Sequence, residues 1–313
     1  MDTDTWAIRH MKNFNDYNNL ITMKRRDFLQ KAGALSALLV LEREASAFPA
    51  NRKLRSLKSY GIITGNTGGK WLEANPKEGL KLIADMGYTE LEFGGDFGLG
   101  FDYAKKYIKE LGLKPLFGGS SMYQIAKDKE AFKKSIANTK SWGKKYFVCY
   151  YPFLDGTQVV PLDQWKQIAE WCNEAGKVCK EEGLSFLYHN HDYEFRVTEG
   201  VIPFDIVLQY TDPEYVNVQM DLYWVTKGNA CPITYMKKYP GRFPALHVKD
   251  MDHTDERGFA DVGSGRIDFP EIFSYGRIAG VKHYIVENDA PKNGKDSITA
   301  SGRYLKNLKY RER

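Results

Sequence analysis

Cysteine is scarce in this chain, four in 313 residues, which excludes a disulfide-stapled scaffold. Cys172 and Cys179 fall two turns apart on a helical pattern, about 10 Å by rise and beyond disulfide reach, so core thiols are expected. Long hydrophobic runs are lacking too. The run that invites a membrane reading, Ala32 to Leu41, has ten residues, about half of what a spanning helix needs. No block of one charge sign stands out: 45 Lys and Arg against 40 Asp and Glu leave +5 with the signs mixed, which argues against a nucleic-acid binder. Residues 55 to 310 contain no linker or low-complexity stretch. What is present is ample core material, 42% hydrophobic with 27% charged, far from the composition of disordered chains. The length permits two domains of about 150 residues, or one α/β barrel of roughly 250 with a tail.

The tail has its own pattern. Met23-Lys24-Arg25-Arg26-Asp27-Phe28-Leu29 precedes the short apolar run, and Ala45-Ser46-Ala47 follows it, the basic, apolar, small-residue order of a secretory signal. Arg25-Arg26 with Phe28-Leu29 resembles a twin-arginine export signal. Residues 1–22 are then an upstream extension, 23–47 the signal, and 48–313 the mature barrel, which predicts a periplasmic or otherwise exported protein without stable membrane insertion once the signal is removed. The alternative is a buried N-terminal helix, since Glu42, Arg43 and Glu44 interrupt the approach to the cleavage site.

From Ser59 onward, short β-rich runs alternate with amphipathic helical stretches, the signature of βα units around a parallel sheet. Eight strands are expected: Tyr60 to Thr64, Thr89 to Phe93, Lys114 to Gly118, Tyr146 to Tyr150, Ser185 to His191, Val216 to Leu222, Ala245 to Lys249 and His283 to Asn288. Gly87, Gly112 and Gly183 each stand just past a helical stretch and before a strand, where αβ connections take glycine. A doubly wound open sheet is the rival, but no Gly-x-Gly-x-x-Gly follows the first strand. The expected fold class is α/β, a single (β/α)8 TIM barrel.

In such a barrel, catalytic groups sit at the C-terminal ends of the strands. The fifth strand ends Leu187-Tyr188-His189-Asn190-His191, the sixth Gln219-Met220-Asp221, the seventh Leu246-His247-Val248-Lys249-Asp250, the eighth Ile285-Val286-Glu287. A lone His or Asp at a strand end is usually a satisfied structural group. Four consecutive strands ending in metal-competent side chains point to a shared cation, because unpaired carboxylates packed at one mouth would repel. His189 and His191 share strand parity and can both face the mouth.

These segments, with Asp192-Tyr193-Glu194-Phe195, Tyr223-Trp224 and Gly263-Ser264-Gly265-Arg266-Ile267-Asp268-Phe269, are similar to the xylose-isomerase-like barrels. That family contains sugar and sugar-phosphate isomerases and epimerases, inosose dehydratase-type enzymes and barrel endonucleases, and the resemblance covers residues 57 to 310. It implies a divalent metal held by a carboxylate on the fifth strand, Asp on the sixth, His on the seventh and Glu on the eighth. The last three correspond to Asp221, His247 and Glu287. At the first position this chain has His189, a departure that removes one of the two bases an epimerase uses. His189 is taken as the ligand and His191 as an acid/base or substrate group, with the reverse left open. Mixed N/O ligation suits Mn, Co, Fe or Zn.

Lys249 shares parity with His247 and is placed with His191 and Glu287 among the catalytic groups, to steady an oxyanion or take a proton; a lysine tied to a carboxylate is the alternative. Glu92, Trp224 and Arg266 are candidate substrate contacts, against a structural ion pair, a core ring and a loop-locking arginine respectively. Such equipment removes a proton next to a carbonyl. The expected function is a metal-dependent isomerase or epimerase of a non-phosphorylated sugar or keto-sugar. A keto-glycoside lyase or hydratase is the alternative, and a non-catalytic sugar-binding barrel the alternative from another class. A small carbohydrate is the expected partner and nucleic acid is not: the nuclease relatives use a larger His-rich cluster, and only six histidines occur here, including His10 in the leader region.

Overall fold

A computed structural model describes residues 53–154 and 160–313. The leader signals expected over residues 1–47 lie outside them. Eight parallel strands form a closed barrel: β1 Gly61–Ile63, β2 Glu90–Glu92, β3 Lys114–Ser120, β4 Tyr146–Cys149, β5 Ser185–His189, β6 Val216–Asp221, β7 Ala245–Val248 and β8 His283–Val286. Closure is visible in the register, where Ile285 of β8 pairs with His247 on one side and Gly61 on the other. The α/β barrel expected from the alternating pattern is the observed fold.

Alternation along each strand sorts residues between two cores. Phe117, Val148, Leu187, Ala245 and Ile285 pack together inside the barrel, while neighbours such as Phe147, Phe186, Leu246 and Val286 face the helices. At Gly61 a Cβ would lie 2.6 Å from Ile285 Cδ1 and 2.7 Å from the Glu90 carbonyl oxygen, so the filled barrel admits only glycine there. At the floor, His283 Nδ1 lies 2.9 Å from Glu90 Oε2 and Nε2 lies 3.0 Å from the Tyr146 hydroxyl. The core above it is therefore closed from below by a polar layer.

Several strands stop earlier than the pattern predicts: β5 ends at His189, β7 at Val248 and β8 at Val286. His191, Lys249 and Glu287 consequently stand on the loops just past the strands. Helix α1, Thr64–Ala74, begins where β1 ends. Its Thr-Gly-Asn-Thr-Gly-Gly opening has poor helix propensity, and Gly69 breaks the helix with φ 49°. Two short antiparallel pairs flank the barrel: Leu54–Arg55 with Tyr310–Arg311, and Asp250–Met251 with Phe259–Ala260. Cys149, Cys172 and Cys179 are buried free thiols and Cys231 is exposed. Among the described residues no helix is long and apolar enough to cross a membrane.

Candidate metal centre

Four strand ends converge on one point. His189, Asp221, His247 and Glu287 are all buried, and each offers a ligand atom within 4.8 Å of the others. Their inward direction follows from parity: Leu187 and His189 alternate on β5, Ala245 and His247 on β7, Ile285 and Glu287 along β8. Two imidazole nitrogens and two carboxylates form a donor set suited to a divalent transition metal. An orphan atom supports the fit, because His189 Nδ1 is buried without a hydrogen-bond partner, a costly state for a polar atom that ligation would relieve. Burial, reinforced by the charge of His247, pushes His189 well below the ordinary histidine range, and a neutral ring is the form that ligates. Burial acts to raise Glu287, but Lys249 and His247 outweigh it and hold that carboxyl well below its usual range.

The other two ligands are aimed by their neighbours. Asp221 Oδ1 accepts the backbone N–H of Trp224 at 2.9 Å, capping helix α2, Leu222–Lys227, which leaves Oδ2 toward the cluster. Asn190 holds the same strand end, its Oδ1 accepting the Asp221 N–H at 3.0 Å. His247 lies between two carboxylates, with Nδ1 2.7 Å from Glu287 Oε2 and Nε2 3.0 Å from Glu92 Oε2. Glu92 is fully buried and also accepts from Tyr150 Oη and Gln219 Nε2, each at 2.7 Å.

Expected as a substrate contact, Glu92 is held instead in contacts with protein groups. It lies behind His247, and its oxygens are taken by three protein donors. It fixes the ring so that Nδ1 faces the cluster, as carboxylates behind metal-binding histidines do.

Lys249 joins the cluster from above. Its Nζ is 2.9 Å from Asp221 Oδ2, 2.7 Å from Glu287 Oε2 and 2.8 Å from Asp289 Oδ2. Burial would lower its pKa, but the three carboxylates prevail and raise it, so the group is an ammonium. Asn66, on α1, donates from Nδ2 to Glu287 Oε1 at 2.7 Å and to Asp289 Oδ1 at 2.8 Å. Sequence reasoning missed both Asn66 and Asp289. The available signals were the position of Asn66 just past the first strand end and the parity that Asp289 shares with Glu287.

Above the cluster opens a cavity of about 980 Å³ whose walls include His191, Tyr193, Trp224, Tyr151 and Tyr123. His191 Nδ1 is 2.9 Å from the Tyr193 hydroxyl. Burial and then Lys249 push its pKa down to about 3, so the ring is neutral near pH 7. Trp224 stands in the wall, 5.5 Å centroid to centroid from His191.

Arg266 does not line the cavity. It donates from Nε to the Asp252 carbonyl at 2.6 Å and from Nη2 to that of Thr254 at 2.8 Å, which ties the loop after β7. The glycines beside it allow the turn, and Asp250 anchors the same loop by accepting the N–H groups of Met251, Gly263, Gly265 and Ile267.

Residues 80–308 match the profile of the xylose isomerase-like TIM barrel family. The chain is 27% identical to an inosose dehydratase of Clostridium perfringens over 139 residues, 39% of this chain and 46% of that enzyme, so it spans less than half the length of that relative. Among solved structures, a sugar phosphate isomerase/epimerase from Parabacteroides distasonis superimposes with a TM-score of 0.68 at 27% identity, covering 83% of this chain and 96% of that one. The IOLI protein, crystallised with a zinc atom bound, shares the fold at a TM-score of 0.60 and 15% identity over 78% of this chain and 95% of its own.

Proposed function

Because the chain belongs to the xylose isomerase-like TIM barrel family, we propose that it is a divalent-metal-dependent enzyme that abstracts a proton next to a carbonyl of a non-phosphorylated sugar or keto-sugar, as an isomerase or epimerase. The observation that carries this reading is the buried His189, Asp221, His247 and Glu287 cluster at the base of a cavity of about 980 Å³. A metal held by these four residues would polarise a substrate carbonyl or hydroxyl. Lys249 presents a fixed positive charge beside the same point, suited to an oxyanion developing on the substrate. His191 is neutral and its Nδ1 is engaged by Tyr193, so proton exchange with a substrate falls to Nε2. Tyr150, Gln219 and Glu92 keep His247 in register.

The charge of the cavity supports a substrate without phosphate. Lys249 is the one lysine or arginine among its described lining residues, and three carboxylates already surround it. A phosphate dianion would meet Asp192, Glu287 and Asp289 with no free partner. Export directed by the leader, with residues 23–47 removed, belongs to the same proposal.

A second reading, a keto-glycoside lyase or hydratase, is favoured by His189. An imidazole in place of a carboxylate leaves the cluster one base short of a two-base epimerase, while elimination needs only one. A sugar-binding barrel without catalysis gives the four buried ligands no purpose.

The test combines metal analysis of the purified protein with NMR of candidate aldoses, ketoses and keto-sugars in D2O. Solvent deuterium entering a C–H bond next to the carbonyl, dependent on the metal, is expected. A protein that carries no divalent metal and exchanges no such hydrogen refutes the proposal.

A further inference from the structure

Three rings are stacked across the wall of the cavity. Tyr193 and His191 lie 5.1 Å apart at 14°, and His191 and Tyr151 lie 5.1 Å apart at 22°. The stack stops at Tyr151, which is 51% exposed. Tyr123, also 51% exposed, lines the same cavity. Their common rim is fixed by backbone: the Met122 N–H donates to the Tyr151 carbonyl at 2.8 Å, which ties the loop after β4 to the start of helix Met122–Lys127, one residue before Tyr123. Two half-exposed aromatic side chains on adjoining segments at the mouth of a polar pocket offer apolar surface to a ligand. Elsewhere in the mouth, Tyr150 and Tyr193 have their hydroxyls bonded to Glu92 and His191. Neither the Tyr151 nor the Tyr123 side chain has a hydrogen-bond partner among the described residues.

The size of the cavity says what such a surface is for. At about 980 Å³ it stands at the upper end of the roughly 300–1,000 Å³ range of small-molecule sites, and one pyranose over the ligand cluster leaves much of it unfilled. Among its described residues the uncovered wall is aromatic and offers no lysine or arginine besides Lys249, which suits an uncharged ring with a flat apolar face.

We propose that Tyr123 and Tyr151 form a second subsite, which takes a ring joined by a glycosidic bond to the sugar that lies over the ligand cluster. The substrate is then a two-ring keto-glycoside, with its carbonyl on the ring over the ligand cluster, whose second ring is either a further sugar or an aromatic aglycone. This inference rests on the sugar chemistry proposed above and adds to it the size of the substrate.

The experiment is calorimetric titration of the metal-loaded protein with three probe types in gluco and galacto configuration: methyl glycosides, disaccharides and phenyl glycosides. The two-ring probes should bind about fivefold to tenfold more tightly than the methyl glycoside of the same sugar, the size of one aromatic contact. In Tyr123→Ala and Tyr151→Ala the ratio should fall toward one, whereas Tyr151→Phe, which keeps the ring, should retain it. Preference for disaccharides identifies a sugar in the subsite, and preference for phenyl glycosides an aglycone. Equal affinities of one-ring and two-ring probes, a ratio that survives both alanine variants, or no binding of any two-ring probe overturns the proposal. Deuterium exchange, measured separately on the candidate aldoses, ketoses and keto-sugars, separates the two ideas: exchange without a ratio sinks only the subsite, and a ratio without exchange sinks only the isomerase reading.

Discussion

Replacing Glu92 separates an orienting carboxylate from a substrate contact. Its two oxygens accept three hydrogen bonds, from Tyr150, Gln219 and His247, in a fully buried setting. In Glu92→Gln the amide oxygen can accept where Oε2 does, and the amide NH2 then faces a Tyr150 hydroxyl that rotates to accept it. The packing survives, and the negative charge behind His247 is lost. Loss of such a partner weakens metal affinity by about 10–100-fold, or about 1.4–2.7 kcal/mol. Glu92→Ala should show the same loss and also leave three buried donors unpaired, at about 1–3 kcal/mol each if none relaxes, so its melting temperature should fall well below that of Glu92→Gln. Competition against a chromophoric chelator at pH 7 gives the metal Kd, and a thermal melt gives the stability difference. Unchanged metal affinity in both variants, with a raised KM for substrate, would refute the orienting role and return Glu92 to the substrate side.

His189→Ala is expected to lose metal. His191→Ala should keep it and lose about 100- to 10,000-fold in rate; a metal-free His191→Ala swaps the two roles. Asp221→Ala, His247→Ala and Glu287→Ala should each abolish stoichiometric metal while circular dichroism still reports a folded barrel, and retention of one metal per chain by all three would contradict the ligand set. Arg266→Ala should leave KM within about twofold, because a loop tie on the surface contributes little to a distant site, and should speed limited proteolysis near Asp252; a large KM increase would restore it as a substrate contact. Intact-mass measurement of exported material should show a chain beginning near Phe48, and a full-length cytoplasmic product would defeat the export proposal.

Barrel class and the strand ends were legible because both rest on periodicity: a side chain that alternates with Leu187 or Ile285 must face the barrel interior, and His189 and Glu287 inherit that direction. Boundaries were less so. The last residues of βα strands run straight into loops, and nothing in Lys249 or His191 says that the ladder has already ended before them. Glu92 illustrates a deeper limit. Its inward direction could be read from parity, but its depth behind His247 depends on how β2 is staggered against β7 across the barrel, a relation between residues 155 positions apart. Arg266 was illegible for the opposite reason, since its partners are carbonyl oxygens of a nearby loop, and backbone acceptors leave no mark in a sequence. Helix α1 was missed because its glycines oppose a helix that packing imposes.

The pairing of Leu54 and Arg55 with Arg311 and Tyr310, joined by the Arg55–Glu312 ion pair at 2.9 Å and the bond from Lys309 Nζ to Ser56 Oγ at 2.6 Å, brings both ends of the barrel together beneath its floor. The eight βα units therefore form a ring in which first and last are neighbours, and where the ring is cut is a matter of gene order more than of architecture. A circular permutant with the two ends linked and a new opening at a floor turn such as Gly112 would keep every strand end at the mouth in place. A fusion or surface tether attached after Arg313 would leave from below the floor and keep the cavity clear.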